Sequence, residues 1–233
     1  KIKTLVGCNM ELSEATIQLL KNFASINSNI VIKQGNVLKT ISEAKNVLAS
    51  GVMLEDMPRD FGIYDLNQFL NVLGLVDVPR LKFEDNFVTI GDSTGRTTIQ
   101  YFYSDMDMLT SPSKDIAMPS VDVKFLLDNE TLNKIKRAAS ALDHTALAIS
   151  NSNGVVRLSV VDPENTTSNT FSIDVDGEIP NEDFNLIVNI SNLKMLPGNY
   201  EVELSSSFIS HFTNVENKTQ YWIALEKTST FGA

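Results

Sequence analysis

Glu14-Ala15-Thr16-Ile17-Gln18-Leu19-Leu20-Lys21-Asn22-Phe23-Ala24-Ser25-Ile26 and Glu130-Thr131-Leu132-Asn133-Lys134-Ile135-Lys136-Arg137-Ala138-Ala139-Ser140-Ala141-Leu142 read as one helix written twice. A constant shift lays Glu14 on Glu130, Gln18 on Lys134, Leu19 on Ile135, Lys21 on Arg137 and Ile26 on Leu142. Thr16, Leu19, Leu20, Phe23 and Ile26 recur every three or four positions, so with Ser13 as cap the spacing predicts an amphipathic helix over 13–26. In the second copy Asp128 or Asn129 is the cap, and Leu132, Ile135, Ala139 and Leu142 form the inner face. Lys21 and Arg137 then lie opposite the apolar stripe of their helices, with Lys134 one turn before Arg137 and Lys136 on the flank.

Working outward, a second overlay sets Ile63-Tyr64-Asp65-Leu66 on Ile187-Val188-Asn189-Ile190, each followed by a hairpin-like stretch ending in aromatics. Long repeats of this kind point to stacked or ring-like assemblies. Ile30–Ile32 reads as a strand, Gln34-Gly35-Asn36 as a turn and Val37–Ile41 as the hairpin partner. The stretch 43–60 fits no single period. Asp65–Val76 reads as a second helix with Asn67, Gln68 and Asn71 on one face, and strands follow at 81–83, 87–90 and 97–103. In the second half, strands are expected at 121–127, 145–149, 155–160, 170–175, 200–205 and 220–226, with Asn153-Gly154 as a tight turn. Ile190–Leu196 reads as a short fourth helix carrying Lys194 on its outer side.

These signals divide the chain into residues 10–103, a connector at 104–120 that is rich in Asp, Ser, Pro and Met, and residues 121–233. Residues 1–9 read as an upstream extension or a remnant of expression. The fold class is α+β, with two similar domains of about 110 residues. The lone Cys8 allows no internal disulfide and no apolar run reaches the roughly 18 residues of a membrane span, which points to a reduced, cytosolic setting. A net charge of −10 argues against a tight grip on nucleic acid, because nonspecific affinity comes from Lys and Arg displacing counterions.

No phosphate-cradling loop, dinucleotide fingerprint, His-Glu-x-x-His or cysteine cluster occurs, so no cofactor is implied. Asp143-His144 could be half of a proton relay, yet it sits at a helix end, where a capping or surface role fits. Asp105 and Asp107 could share a metal, and Asp174-x-Asp176-Gly177 lacks the later glutamate of a calcium loop.

Leu12-Ser13 through Leu19-Leu20-Lys21-Asn22-Phe23-Ala24-Ser25-Ile26-Asn27-Ser28, Ile63-Tyr64-Asp65-Leu66-Asn67, Lys194-Met195-x-Pro197-Gly198-Asn199-Tyr200 and the closing Ala224-Leu225-Glu226 resemble the sliding clamps of T4-type bacteriophages. The resemblance covers residues 10–233. It implies two processivity-fold domains per chain, with helices on one face of antiparallel sheets and three chains in a closed ring around duplex DNA. It implies no enzymatic activity. The implied partners are duplex DNA, the C-terminal peptide of the phage DNA polymerase, an ATP-dependent clamp loader and late transcription factors, in the cytoplasm of the infected bacterial host. Carried onto this chain, the DNA-facing residues would be Lys21, Lys134, Lys136, Arg137 and Lys194. Ile99, Tyr101 and Tyr103 would meet Thr170 and Ser172 of the next subunit, and Ile116 and Met118 would rim the partner-peptide pocket. The competing reading is a noncatalytic, duplicated α+β module that binds a peptide or small ligand.

Overall fold

The computed structural model describes residues 9–165 and 167–232, so Cys8 and most of the expected upstream extension lie outside the described residues. Contacts divide the described chain into two compact units. The first takes the residues up to Glu43 and Ala49–Ser113; the second takes Ala44–Leu48 and the chain from Lys114 onward.

In chain order the first half holds β1 (Met10–Glu11), α1 (Glu14–Ile26), β2 (Ile30–Ile32), β3 (Gly35–Ile41), β4 (Val47–Met57), β5 (Phe61–Ile63), α2 (Leu66–Leu73), β6 (Arg80–Phe83), β7 (Phe87–Gly91) and β8 (Thr98–Phe102). One antiparallel sheet runs β1-β6-β7-β8, β2 pairs with β5, and β3 lies beside β4. The core forms where α1 turns Leu19, Leu20 and Phe23 inward, with Met53 of β4 and Leu66 and Phe69 of α2 among its buried residues.

The start of α1 is closed from two sides. Ser13 accepts the Thr16 N–H, while the Glu55 carboxylate of β4 accepts the Ser13 N–H at 2.6 Å and the Thr16 hydroxyl at 2.5 Å. An anion at a helix N-terminus is favoured by the unsatisfied N–H groups there. Burial pushes the Glu55 carboxyl up, but the bonds from Thr16 and Ser13 outweigh it and hold the group below its ordinary range. A depressed folded-state value stabilises the fold above the unfolded-state value and is lost as pH falls through the folded one. Glu55→Gln is therefore expected to destabilise the first unit by about 1 kcal/mol at neutral pH, with the difference from the parent shrinking as pH drops below about 4. Thermal melts at neutral pH and in mild acid measure this.

One expectation fails here, and one open stretch resolves. Gln34–Asn36 is not a hairpin turn: β2 pairs with β5 through Ile30↔Ile63 and Ile32↔Phe61. Asp60, just before β5, accepts the Gln34 N–H at 2.7 Å and holds the Lys33 ammonium at 3.0 Å, while Gly35 leaves the strand direction with φ +103°. The stretch without a clear period holds the eleven-residue β4.

The second half contains β9 (Val123–Leu127), α3 (Asn129–Leu142), β10 (Ala146–Ser152), β11 (Val155–Val161), β12 (Phe171–Val175), β13 (Gly177–Glu178), β14 (Phe184–Asn189), β15 (Tyr200–Ser205), β16 (Ile209–Asn214), β17 (Gln220–Ala224) and β18 (Thr230–Phe231). One antiparallel sheet runs β12-β11-β10-β14-β18 and another begins β13-β9-β15-β16-β17. The Ala224 N–H bonds the Asn46 carbonyl, which draws Ala44–Leu48 into this unit. Asn153 and Gly154 turn β10 into β11 with φ of 54° and 91°, the left-handed pair that a tight hairpin requires. Leu132 and Ile135 of α3 are buried, and so are Val202, Phe212 and Tyr221 of the sheet.

The expected fourth helix shrinks to a 3-10 turn, Ile190–Asn192. Asn189 caps it, the Leu193 N–H closes on Ile190, and Leu193 and Met195 are buried on either side of exposed Lys194. That alternation of two belongs to extended chain, so Lys194 is not carried by a helix. Asn189 nevertheless does what Asp65 does at α2, accepting a backbone N–H at the start of its turn, as the second overlay implies.

Candidate nucleic-acid interface and subunit edges

The structure places the repeated cations alike. Glu14, Lys21 and Ser25 are exposed on α1, and Glu130, Arg137 and Ala141 are exposed at the matching turns of α3. Leu19 and Ile135 are buried behind them. Asp128 accepts the Thr131 N–H to start α3, and Asp143 ends it in the left-handed conformation. The apolar stripe is thus fixed against the sheet, and the cations face out.

The other candidates differ. Lys134 is tied to Glu130 at 2.6 Å one turn back, so part of its field is neutralised locally. Lys136 is half-buried, and burial holds its ammonium below the ordinary lysine value. Both Lys136 and Arg137 line a shallow recess of about 660 Å³ on α3, together with Asn129, Glu130, Asn133 and Ser140. This is a mixed polar surface able to bond phosphate oxygens at several points without reading bases.

The expected subunit-edge residues do sit on sheet edges. β8 is the end strand of its sheet in the first unit, and β12 is the end strand of its sheet in the second. Ser172, exposed on β12, bonds the Ser159 hydroxyl at 2.8 Å, and Thr170 is exposed just before the strand. The side chains expected at the contact, on β8 and just after it, turn inward. Tyr101 packs on Phe69 at 5.1 Å and donates its hydroxyl to the Asp65 carbonyl, Tyr103 packs on Phe61 at 5.1 Å, and Ile99 is half-buried. Phe102 is the aromatic left 63% exposed.

Ile116 is exposed and Met118 half-buried on the connector, but the apolar recess of the first unit forms nearer the connector's start. It measures about 420 Å³ and is lined by Val31, Val37, Lys33, Lys39, Ser111 and Pro112 among others. Val37, 46% exposed on β3, is the signal that could have found it. The connector reaches this place because the Ser104 N–H bonds the Gly62 carbonyl, the Thr110 N–H bonds the Asn29 side chain and Leu109 is buried.

His144 and Asp105, weighed for chemistry, and the second histidine, His211, make structural contacts. The Nε2 atom of His144 meets the Asn169 carbonyl at 2.8 Å, and its backbone N–H closes α3 on Ala139. Asp105 caps a 3-10 turn, Met106–Met108. His211 stacks on Trp222 at 4.7 Å, with Nδ1 3.2 Å from Glu203. Among the described residues no group of three or more potential ligands is placed to hold a metal, and no described helix is long and apolar enough to cross a membrane.

The first half of this duplicated α+β chain matches the DNA polymerase processivity factor family, over residues 13–106. The gp45 sliding clamp C-terminal family matches residues 124–227, so each half carries its own match. The sliding clamp of Enterobacteria phage T4 is 33% identical over 230 residues, spanning 95% of this chain and 99% of that one. The proliferating cell nuclear antigen of Thermococcus kodakaraensis shares the fold, with TM-score 0.70 and 14% identity over 94% of this chain and 99% of its own. That of A. fulgidus, solved with the C-terminal region of FEN-1 bound, superposes with TM-score 0.68 and 12% identity over 94% and 98% of the two chains. The chain belongs to the sliding clamps of T4-type bacteriophages.

Proposed function

We propose that three copies of this chain close head to tail into a ring around duplex DNA and hold the phage replicative polymerase on its template. The observation that carries this reading is the equivalence of Lys21 and Arg137, two exposed cations at the same place on duplicated helices. A clamp has to slide, so it needs shallow attraction to phosphates and no base-specific bonds. An acidic chain of net charge −10 with a few outward cations meets both needs.

Closure follows from the edges. β8 of one subunit pairs with β12 of the next, and a contact between unlike edges forms a ring when its rotation closes. With Tyr101 and Tyr103 turned inward, the contact is made by the strand backbones and Phe102. The polymerase's C-terminal peptide occupies the recess beside Ser111 and Pro112. An ATP-dependent loader opens the ring, the clamp also supports late transcription, and the setting is the cytoplasm of the infected bacterium. The A. fulgidus protein, with a partner's C-terminal region bound, supports a peptide mode of attachment by analogy of fold.

Native mass spectrometry at micromolar concentration tests the assembly. A mass of three chains is expected. A stable monomer or dimer would instead favour a duplicated peptide-binding module.

A further inference from the structure

The helix α2 is exposed yet carries no charge. Its inner face, Leu66, Phe69 and Leu73, is buried, while Asn67, Gln68 and Asn71 are exposed at spacings of one and three. It packs against α1, the helix that carries Lys21. Asparagine is among the poorer helix formers, and a short surface helix normally takes Lys, Glu or Arg at such places, which favour the helix and add ion pairs. The two asparagines therefore weaken α2 without contributing to the core. The Tyr101 hydroxyl, which donates to the Asp65 carbonyl, lies 3.4 Å from the Gln68 side-chain oxygen, while Asn67 and Asn71 are exposed.

Each primary amide offers two N–H donors and no net charge. Donors of that kind bond phosphate oxygens without displacing counterions, so their contribution does not fall as salt rises. We propose that Asn67, Gln68 and Asn71 form a neutral track on the DNA-facing side that donates hydrogen bonds to backbone phosphates. This inference rests on the encircling reading above, and it gives that surface a second, salt-insensitive mode beside Lys21 and Arg137. It also explains how α2 serves the DNA without a cation.

The test is anisotropy of a short fluorescein-labelled duplex titrated with the full chain between about 50 and 200 mM salt. Alanine is the better helix former, so Asn67→Ala with Asn71→Ala keeps α2 folded, which a circular dichroism melt confirms. The double variant is expected to bind about three- to tenfold more weakly at every salt concentration, with an unchanged slope of log affinity against log salt. Lys21→Ala, in contrast, is expected to flatten the slope by about 0.9 for each phosphate that is no longer neutralised. Unchanged affinity of the double variant, beside a parent that binds, would overturn the track while leaving the clamp intact. A flattened slope in the double variant would overturn its neutral character. A parent chain that fails to bind the duplex at the lowest salt would overturn the track, while the encircling reading stands or falls by retention on circular DNA.

Discussion

Lys21→Glu combined with Arg137→Glu is expected to leave subunit assembly unchanged and to shorten the products of processive synthesis by about tenfold or more at moderate salt. Both side chains are exposed on α1 and α3, opposite the buried stripes. The reversal therefore acts on the field and not on the packing. Each chain changes by four charge units, and a ring multiplies that threefold. Lys134 is a weaker choice because Glu130 already holds it at 2.6 Å, and Lys136 because it is half-buried. Primer extension on a long template, read as product length at several salt concentrations, is the measurement. Product lengths equal to those of the parent would remove Lys21 and Arg137 from the DNA surface.

Phe23→Ala, two residues from Lys21, is expected to have the largest effect on stability. Phe23 is fully buried between the α1 stripe and its neighbours. Emptying such a site costs about 3–5 kcal/mol in forfeited burial and residual cavity. In a unit of this size that lowers the melting midpoint by roughly 10 °C or more. Lys21→Ala on the same helix is expected to stay within about 0.5 kcal/mol of the parent. Calorimetry on the two variants separates the face that builds the unit from the face proposed to meet DNA. A Phe23→Ala midpoint within a few degrees of the parent would mean that α1 is not anchored as described.

The helices were legible because their signals are local. Ser13, Asp65 and Asp128 each accept the N–H three residues on, and the apolar spacing of α1 and α3 alone says which face is buried. What the sequence hid was set by partners far along the chain. β4 shows no clean alternation because its outward positions Val52 and Leu54 are themselves apolar, at 58% and 75% exposed. The pairing of β2 with β5 depends on Asp60 reaching back to Gln34, which no local pattern announces.

The repeat located Lys21 and Arg137 on outward faces, and the flank position that spacing gives Lys136 is where the structure leaves it half-buried. Ile99, Tyr101 and Tyr103 do share one face, as a period of two dictates. Periodicity cannot say which side of an edge strand is inner, and here the tyrosines pack in while Phe102 is left out. The apolar recess draws on β2, β3 and the connector together, so it exists only once the first unit has folded.

Retention on DNA of different topology tests encirclement most directly. Labelled clamp, assembled with its loader and ATP on a nicked circular duplex, is predicted to stay bound through gel filtration at salt high enough to screen Lys21 and Arg137. It should leave promptly once the circle is cut and the ends are free. Equal loss from circular and linear DNA, or equal retention on both, would contradict a ring and return the cations to an ordinary binding surface.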